Sequence, residues 1–462
     1  MKIHEHTKQA GKGRYPHASS SVGIIIAVIT AALFFPQPLP AETITLETVR
    51  QAAVENSRLI KNAELDTASK EIDEKQVVNQ WLPTLSASAS LGYGHSSSTA
   101  GSEEITTSKS SSIGLSLSQP VYKGGVYKLE KENAAVETGI AKTEYDAVVL
   151  EVLNTADTYY LDYLKAVSAG ETAEREYQAV KVLLEIADGK MEYGGISRSE
   201  YLEIQADTAE KKAAMQKAQA TMSIAGTRLA SYMGVTGIDG AEDIGIREYD
   251  SVIRLLSEMT DKKITETTEK LTACGMNLSP SLMAAELNLR KTRLQAEKDV
   301  KEYAPSISIS VSERLTGNGE YDLSNSGTLS ISASVSLLQW DRKGVKEQAA
   351  IQIRQAGNTR EETIREYLLE IQSVWLDLIA SARETVSSKA GLEYTEELYK
   401  LVLEQYRLSS VPYSDLADAE VRLSGGREAY LSARYTFLEN LSGLSAALGY
   451  EDWDMLWEIL GI

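Results

Sequence analysis

The sequence predicts a mixed helical and β-strand membrane protein built as a duplicated half-molecule. Three observations carry that expectation. Trp81-Leu82-Pro83-Thr84-Leu85-Ser86-Ala87-Ser88 recurs as Tyr303-Ala304-Pro305-Ser306-Ile307-Ser308-Ile309-Ser310, and Met191–Gly234 lies on Tyr406–Gly449 without a gap. Four short segments alternate apolar and small polar residues, and two very long heptad stripes follow the two pairs of segments. A repeat of about 200 residues is far longer than any solenoid unit, so each half is a structure in itself.

The chain has 462 residues and a formal charge of −19. Its first 41 residues set Lys2, Lys8, Lys12 and Arg14 against Glu5, so the remainder is more acidic still. Val22–Phe35 is uncharged and Leu39-Pro40-Ala41 ends in a small residue, which together read as a secretory signal peptide over 1–41. The rival reading, a membrane anchor, needs a run of roughly 20 apolar residues, and this one is shorter. Cys274 is the only cysteine, and once His4, His6 and His17 leave with the signal, His95 is the only histidine. No His-based triad, Cys–His pair or zinc cluster can be assembled from that inventory. Gly317-Asn318-Gly319 marks a turn rather than a phosphate loop. The acidic balance opposes nucleic-acid binding, and the expectation is a protein without catalytic chemistry or cofactor.

The strands come next. Leu85, Ala87, Ala89, Leu91 and Tyr93 alternate with serine and glycine, as do Ile113, Leu115 and Leu117. In the second half Ile307, Ile309 and Val311 alternate with serine, and so do Leu329, Ile331, Ala333, Val335 and Leu337. Period two puts the apolar side chains on one face. The expected pairs are 84–95 with 111–121 and 305–315 with 327–338, with polar, loop-like tips at 96–109 and 316–326. About 9–11 residues suffice for a tilted strand to cross a bilayer. Soluble sandwich strands and serine-rich linkers are the competing readings. The serine and glycine face suits a crowded or water-filled lumen, and Trp81, Tyr122, Tyr303 and Trp340 stand where strand meets helix, the level that suits a membrane interface. Four strands cannot close a barrel, and lipid does not tolerate an open edge, so several chains must pool strands.

The helices follow. From Tyr145 through Val152, Ala156, Tyr163, Ala166, Gly170 and Val180 to Met191, apolar or small residues recur at steps of four and three without a proline. A sustained seven-residue repeat keeps one seam facing a partner by supercoiling. Continuous helix from near Gly125 to Met191 would be on the order of 100 Å long. Ile364, Tyr367, Ile371, Val374 and Leu378 begin a second stripe, which weakens and then resumes from Leu392 to Tyr406. Each stripe ends at a turn, near 193–199 and 406–414, and a second helical pattern returns from it. Each half is thus a helical hairpin. A periplasmic coiled-coil adaptor or a structural scaffold would share the heptads but not the paired alternating segments.

The order of these pieces resembles the TolC-type outer-membrane efflux protein family, the outer membrane factors. The likeness rests on Leu82-Pro83 and Ala304-Pro305, on Gln119-Pro120-Val121-Tyr122-Lys123-Gly124-Gly125, on both hairpin tips, and on Leu229–Gly234 with Leu444–Gly449. It implies a homotrimer in which long coiled-coil hairpins form a trimeric α-barrel and four strands per chain form a 12-stranded transmembrane β-barrel. It also implies a location in the outer membrane of a Gram-negative-type bacterium, extending into the periplasm, and an exit duct for efflux or type I secretion. The implied partners are outer-membrane lipid and an inner-membrane pump reached through a periplasmic adaptor (membrane fusion) protein. By the same resemblance Asp415 and Asp418 match constriction carboxylates, Tyr406 a gate tyrosine and Glu200 its acidic partner. Val411 departs from a gate-bridging arginine of some members. An acidic first turn favoured by the helix dipole is the plainer account of Asp415 and Asp418. The implied plan is a first repeat over 42–234, an equatorial insert over 235–276, a second repeat over 277–449 and a tail over 450–462. Within the insert Asp250–Lys270 is expected to form one short helix, and Trp453 and Trp457 are expected to pack in that equatorial region.

Overall fold

Hydroxyl side chains cap the N-terminal ends of the first two helices. The computed structural model describes residues 44–98, 104–238, 240–242, 244, 249–317 and 323–460, so the expected signal segment 1–41 lies outside the described residues. In chain order the elements are α1 (Leu46–Asn56), α2 (Arg58–Asn79), β1 (Thr84–Ser98), β2 (Glu104–Lys123), α3 (Val126–Glu192) and α4 (Arg198–Met233). They continue as α5 (Asp250–Ser257), α6 (Asp261–Leu278), α7 (Pro280–Lys301), β3 (Ser306–Gly317), β4 (Leu323–Ser334), α8 (Arg342–Arg407), α9 (Tyr413–Leu448) and α10 (Met455–Leu460). Thr45 and Thr48 close a capping box on α1. Ser57 ends α1 and accepts the Ile60 amide to start α2 at a new angle. Pro280 has no amide to continue α6 and so starts α7.

The lengths repeat between halves: α2 and α7 have 22 residues each, α3 and α8 have 67 and 66, and α4 and α9 have 36 each. α4 folds back along α3 and α9 along α8, while α3 also packs on α2, α7 and α9. Both return helices end on a left-handed glycine, Gly234 at φ 74° and Gly449 at φ 90°, the conformation that glycine adopts without a Cβ penalty. The main core sits midway along the hairpins. Ala156, Tyr160 and Leu161 of α3 meet Ile371, Trp375 and Leu378 of α8 and Phe437, Leu441 and Leu444 of α9 there. Leu256 of α5, Leu271 of α6 and Trp453 join the same cluster.

The insert differs from the sequence expectation. Where one short helix was expected over 250–270, two form, because the chain turns at Glu258-Met259-Thr260 and α6 restarts on Thr260. Position 276, the expected end of the insert, lies in the last turn of α6, which runs on to Leu278 before α7 starts at Pro280. Trp457 does pack in this region, its ring 6.1 Å from that of Tyr249.

The four strands form one antiparallel sheet in the order β1-β2-β3-β4, leaving β1 and β4 as free edges. β1 and β2 stay paired from Thr84 with Ser118 to Ser98 with Glu104, so most of the expected loop over 96–109 is strand. Likewise β3 extends to Gly317 and β4 begins at Leu323, narrowing the second expected loop. The ladder is carried by backbone hydrogen bonds, which polar side chains do not interrupt. At the other end β4 stops at Ser334 rather than 338. Its last rung is Ser306 with Ser334, and Pro305 has no amide to extend the pairing, so Val335 and Leu337 fall beyond the strand. Ser86 bonds Ser116 at 2.7 Å, Ser90 bonds Ser112 at 2.8 Å and Ser310 bonds Ser330 at 2.8 Å across the serine face. The opposite face carries exposed Leu85, Leu91, Leu115, Val311, Leu329 and Ile331. A bulge at Pro120–Tyr122 shifts the register, so that Tyr122 rejoins the apolar face opposite Ile307.

Among the described residues no helix is long and apolar enough to cross a membrane.

Candidate functional site

Both hairpin tips close by the same backbone device. In the first, the Gly195 N–H donates to the Lys190 carbonyl at 2.7 Å while Gly194 takes φ 70°. In the second, the Ser410 N–H donates to the Gln405 carbonyl at 2.8 Å and Ser409 takes the left-handed position at φ 55°. Ser197 then caps α4, its hydroxyl accepting the Glu200 N–H at 3.2 Å. Pro412, with φ fixed near that needed, leads into α9.

Behind the turns lies a small apolar cluster of Ala187, Ile204, Tyr406, Tyr413 and Leu416, one or two from each of the four long helices. The Tyr406 and Tyr413 rings meet edge to face at 5.9 Å, and the Lys190 Nζ stands 5.4 Å above the Tyr406 ring. Burial, and next the charge of Glu200 and a hydrogen bond to it, hold the Tyr406 phenol above its ordinary pKa. Tyr406 and Glu200 are therefore neighbours across the two hairpins. Asp415 and Asp418 are exposed on the protomer, on the side of α9 opposite the buried Tyr413, Leu416 and Glu420.

A second set of polar side chains at this end is not apparent from sequence. The Tyr413 hydroxyl donates to Asp207 Oδ2 at 2.5 Å. Lys211 Nζ pairs with Glu176 Oε2 at 3.1 Å and with Glu420 Oε1 at 3.3 Å, all three side chains at most 13% exposed. Arg427 Nη1 lies 3.9 Å from Glu176, and the Ser424 hydroxyl donates to Glu176 at 3.3 Å. The signal available in sequence was slight: an acid, Glu420, standing where the apolar stripe of α9 should continue.

At the other end of the helices, Trp81 packs on Tyr127 with ring centroids 5.0 Å apart, and its carbonyl accepts Gln119 Nε2 at 2.7 Å. The Tyr303 hydroxyl donates to Asp341 Oδ2 at 3.2 Å. Tyr122 is half exposed and Trp340 is 88% exposed. All four lie at or beside a strand–helix junction. Gly124 makes one junction possible, with φ 57° and a position where a Cβ would fall 2.2 Å from that of Ala304. Among the described residues no group of three His, Cys, Asp or Glu side chains could hold a metal ion.

A family model described as Outer membrane efflux protein matches residues 49–235 and 276–450. No curated protein matches the chain by sequence. Among solved structures, CusC superimposes with a TM-score of 0.74 at 16% identity, over 88% of this chain and 92% of its own. The Campylobacter jejuni CmeC outer membrane channel gives 0.70 at 15% identity, over 97% and 98%. The Neisseria gonorrhoeae MtrE outer membrane channel in its open state gives 0.69 at 18% identity, over 88% and 89%.

Proposed function

The chain belongs to the outer membrane efflux protein family, and from that premise we propose that three copies form a passive exit duct from the periplasm to the cell exterior. The observation that carries this reading is the sheet. One face carries exposed apolar side chains, interrupted by Lys109 and Glu313, the other is lined with hydroxyls, and both edge strands are unpaired. Neither edge is tolerable in hydrocarbon. Pairing β4 of one copy with β1 of the next removes every edge, and three copies give twelve strands, within the range of known barrels. The apolar face then meets lipid, the serine face lines the lumen, and Trp81, Tyr122, Tyr303 and Trp340 mark the inner interface.

The matched lengths of the two hairpins support a duplicated half, whose four long helices per chain become a twelve-helix tunnel in the trimer. Its far end is closed by the hairpin tips. There Asp415 and Asp418 form a ring of carboxylates that favours cations over anions, and the Tyr406–Glu200 contact holds the two tips together. Val411 leaves the gate without an arginine bridge at that position. No bond is made or broken in transport. Energy comes from an inner-membrane pump, engaged through a periplasmic adaptor protein that parts the tips. The same architecture serves drugs, metal ions, polysaccharide and secreted protein.

Protein extracted in detergent is expected to be a trimer by light scattering, and in planar bilayers to form cation-preferring channels. The Asp415→Asn/Asp418→Asn double variant should lose that preference. A water-soluble monomer that remains in the supernatant after alkaline washing of membranes would instead support an adaptor or scaffold.

A further inference from the structure

The exposed position of Asp415 and Asp418 depends on how α9 is rotated about its own axis, and two links to α4, a part-buried hydrogen bond and a buried ion pair, bear on that rotation. At about 100° per residue, Tyr413, Leu416 and Glu420 share one face of α9. Asp415 and Asp418 fall about 200° round from Tyr413 and Leu416, on the opposite face. Leu416 packs in the apolar cluster with Ile204 of α4, which turns this face of α9 inward but leaves its exact rotation to the tolerance of side-chain repacking. A hydrogen bond and a buried ion pair narrow that rotation further. Tyr413 bonds Asp207 at 2.5 Å and, two turns on, Glu420 pairs with Lys211 at 3.3 Å. Asp207 and Lys211 are one turn apart on α4, so the links form two rungs between α4 and α9. Lys211 is itself tied to Glu176 of α3 at 3.1 Å, so the rungs stand on the whole first hairpin.

We propose that Lys211 and Asp207 are positioning residues for the constriction, holding Glu420 and Tyr413 so that α9 turns Asp415 and Asp418 toward the duct axis. This rests on the reading of Asp415 and Asp418 as lining residues. Lys211 is the more demanding of the two rungs. Without its ammonium group, buried Glu420 and part-buried Glu176 and Asp207 would lie together with Arg427 at the margin, and α9 must turn or shift to carry Glu420 into water.

The test follows the position of residue 415 directly. An Asp415→Cys variant is reconstituted as the full-length channel, and its modification rate by a membrane-impermeant cationic thiol reagent is measured. The parent, in which Cys274 alone reacts, gives the background. Adding Lys211→Met, or the gentler Tyr413→Phe that removes only a hydroxyl, should change that rate several-fold, and Lys211→Arg should restore it. The Lys211→Met channel with both aspartates intact should also lose cation preference in reversal-potential measurements. An unchanged rate with both Lys211→Met and Tyr413→Phe overturns the proposal, even if the trimers melt earlier, because a purely structural role would lower stability alone. If the rate changes but the Asp415→Asn/Asp418→Asn channel keeps its selectivity, the lining reading fails and with it the constriction role, while Lys211 and Tyr413 still set how α9 presents residue 415.

Discussion

Arg50 on α1 clasps Asp157 on α3 with two parallel bonds, Nε to Oδ1 at 2.7 Å and Nη2 to Oδ2 at 2.8 Å. Asp157 is 2% exposed, and its carboxylate also accepts the Ser442 hydroxyl of α9 at 2.6 Å. The guanidinium reaches Asp452 at 3.3 Å and lies over the Trp453 ring at 4.9 Å. One ion pair therefore joins the first helix, both hairpins and the tail.

Removing one partner of such a pair strands the other. Arg50→Met should destabilise the fold by about 3–5 kcal/mol, read as a fall in the urea midpoint of the detergent-solubilised protein. Arg50→Lys keeps the charge but not the paired geometry, and should fall between the two. Equal stability of all three would show that the clasp contributes nothing.

Glu420 supplies a pH signature. Burial raises its pKa, the Lys211 charge opposes the rise, and Asp207 and then Glu176 add to it. Tyr399 on α8 and Arg427 also face this site. A carboxyl raised in the folded state contributes stability that is full below the ordinary carboxylate pKa and is lost as pH rises through the folded value. Tip stability should therefore decline with rising pH across that window. Glu420→Gln should flatten this part of the curve, because the amide never ionises. Urea midpoints across a pH series decide it, and an unaltered slope would refute the assignment.

The strand–helix junction offers a steric test. Gly124→Ala combines a left-handed backbone, costing about 1–2 kcal/mol for an L-residue, with a Cβ placed 2.2 Å from that of Ala304. A further ~1–3 kcal/mol of overpacking is expected. Folding yield and heat resistance of the assembled protein should both drop, whereas Gly189→Ala, where a Cβ meets nothing within 4 Å, should be silent.

Neighbouring strand residues should differ sharply. Leu91, 90% exposed on the apolar face, should resist Arg by about 2–4 kcal/mol if it lies near the bilayer midplane. Ser90, next along the chain but on the hydroxyl face, should accept Arg with assembly intact and a shifted ion preference. Membrane assembly of the two variants is compared by heat-modifiable gel mobility.

The stripes and alternation made most of the architecture legible in sequence. Val152, Ala156, Tyr163, Ala166, Val180 and Ala187 of the long stripe are all buried, and one strand face is apolar as the alternation required. Strand ends were harder, because side-chain polarity says little about how far a backbone ladder continues. Pro305 was the clue to where β4 stops, but it acts on a partner strand. The break between α5 and α6 lay in an undistinguished Glu-Met-Thr run. At the tips, the three-residue spacing of Asp415 and Asp418 was visible, and Tyr406 with Glu200 came from resemblance. The Lys211–Glu420 and Arg50–Asp157 pairs were not legible. Each joins helices distant in the chain, and periodicity reports which face is buried without naming what it is buried against.

The cross-strand hydroxyl pairs have a consequence for cargo. Ser86 with Ser116, Ser90 with Ser112, Ser310 with Ser330 and Thr316 with Ser324 already bond one another. With those bonds made inside the sheet, fewer donors are left to snag a molecule sliding past. In the proposed duct that means a wettable wall with little adsorption and low friction, indifferent to the chemical identity of what it releases.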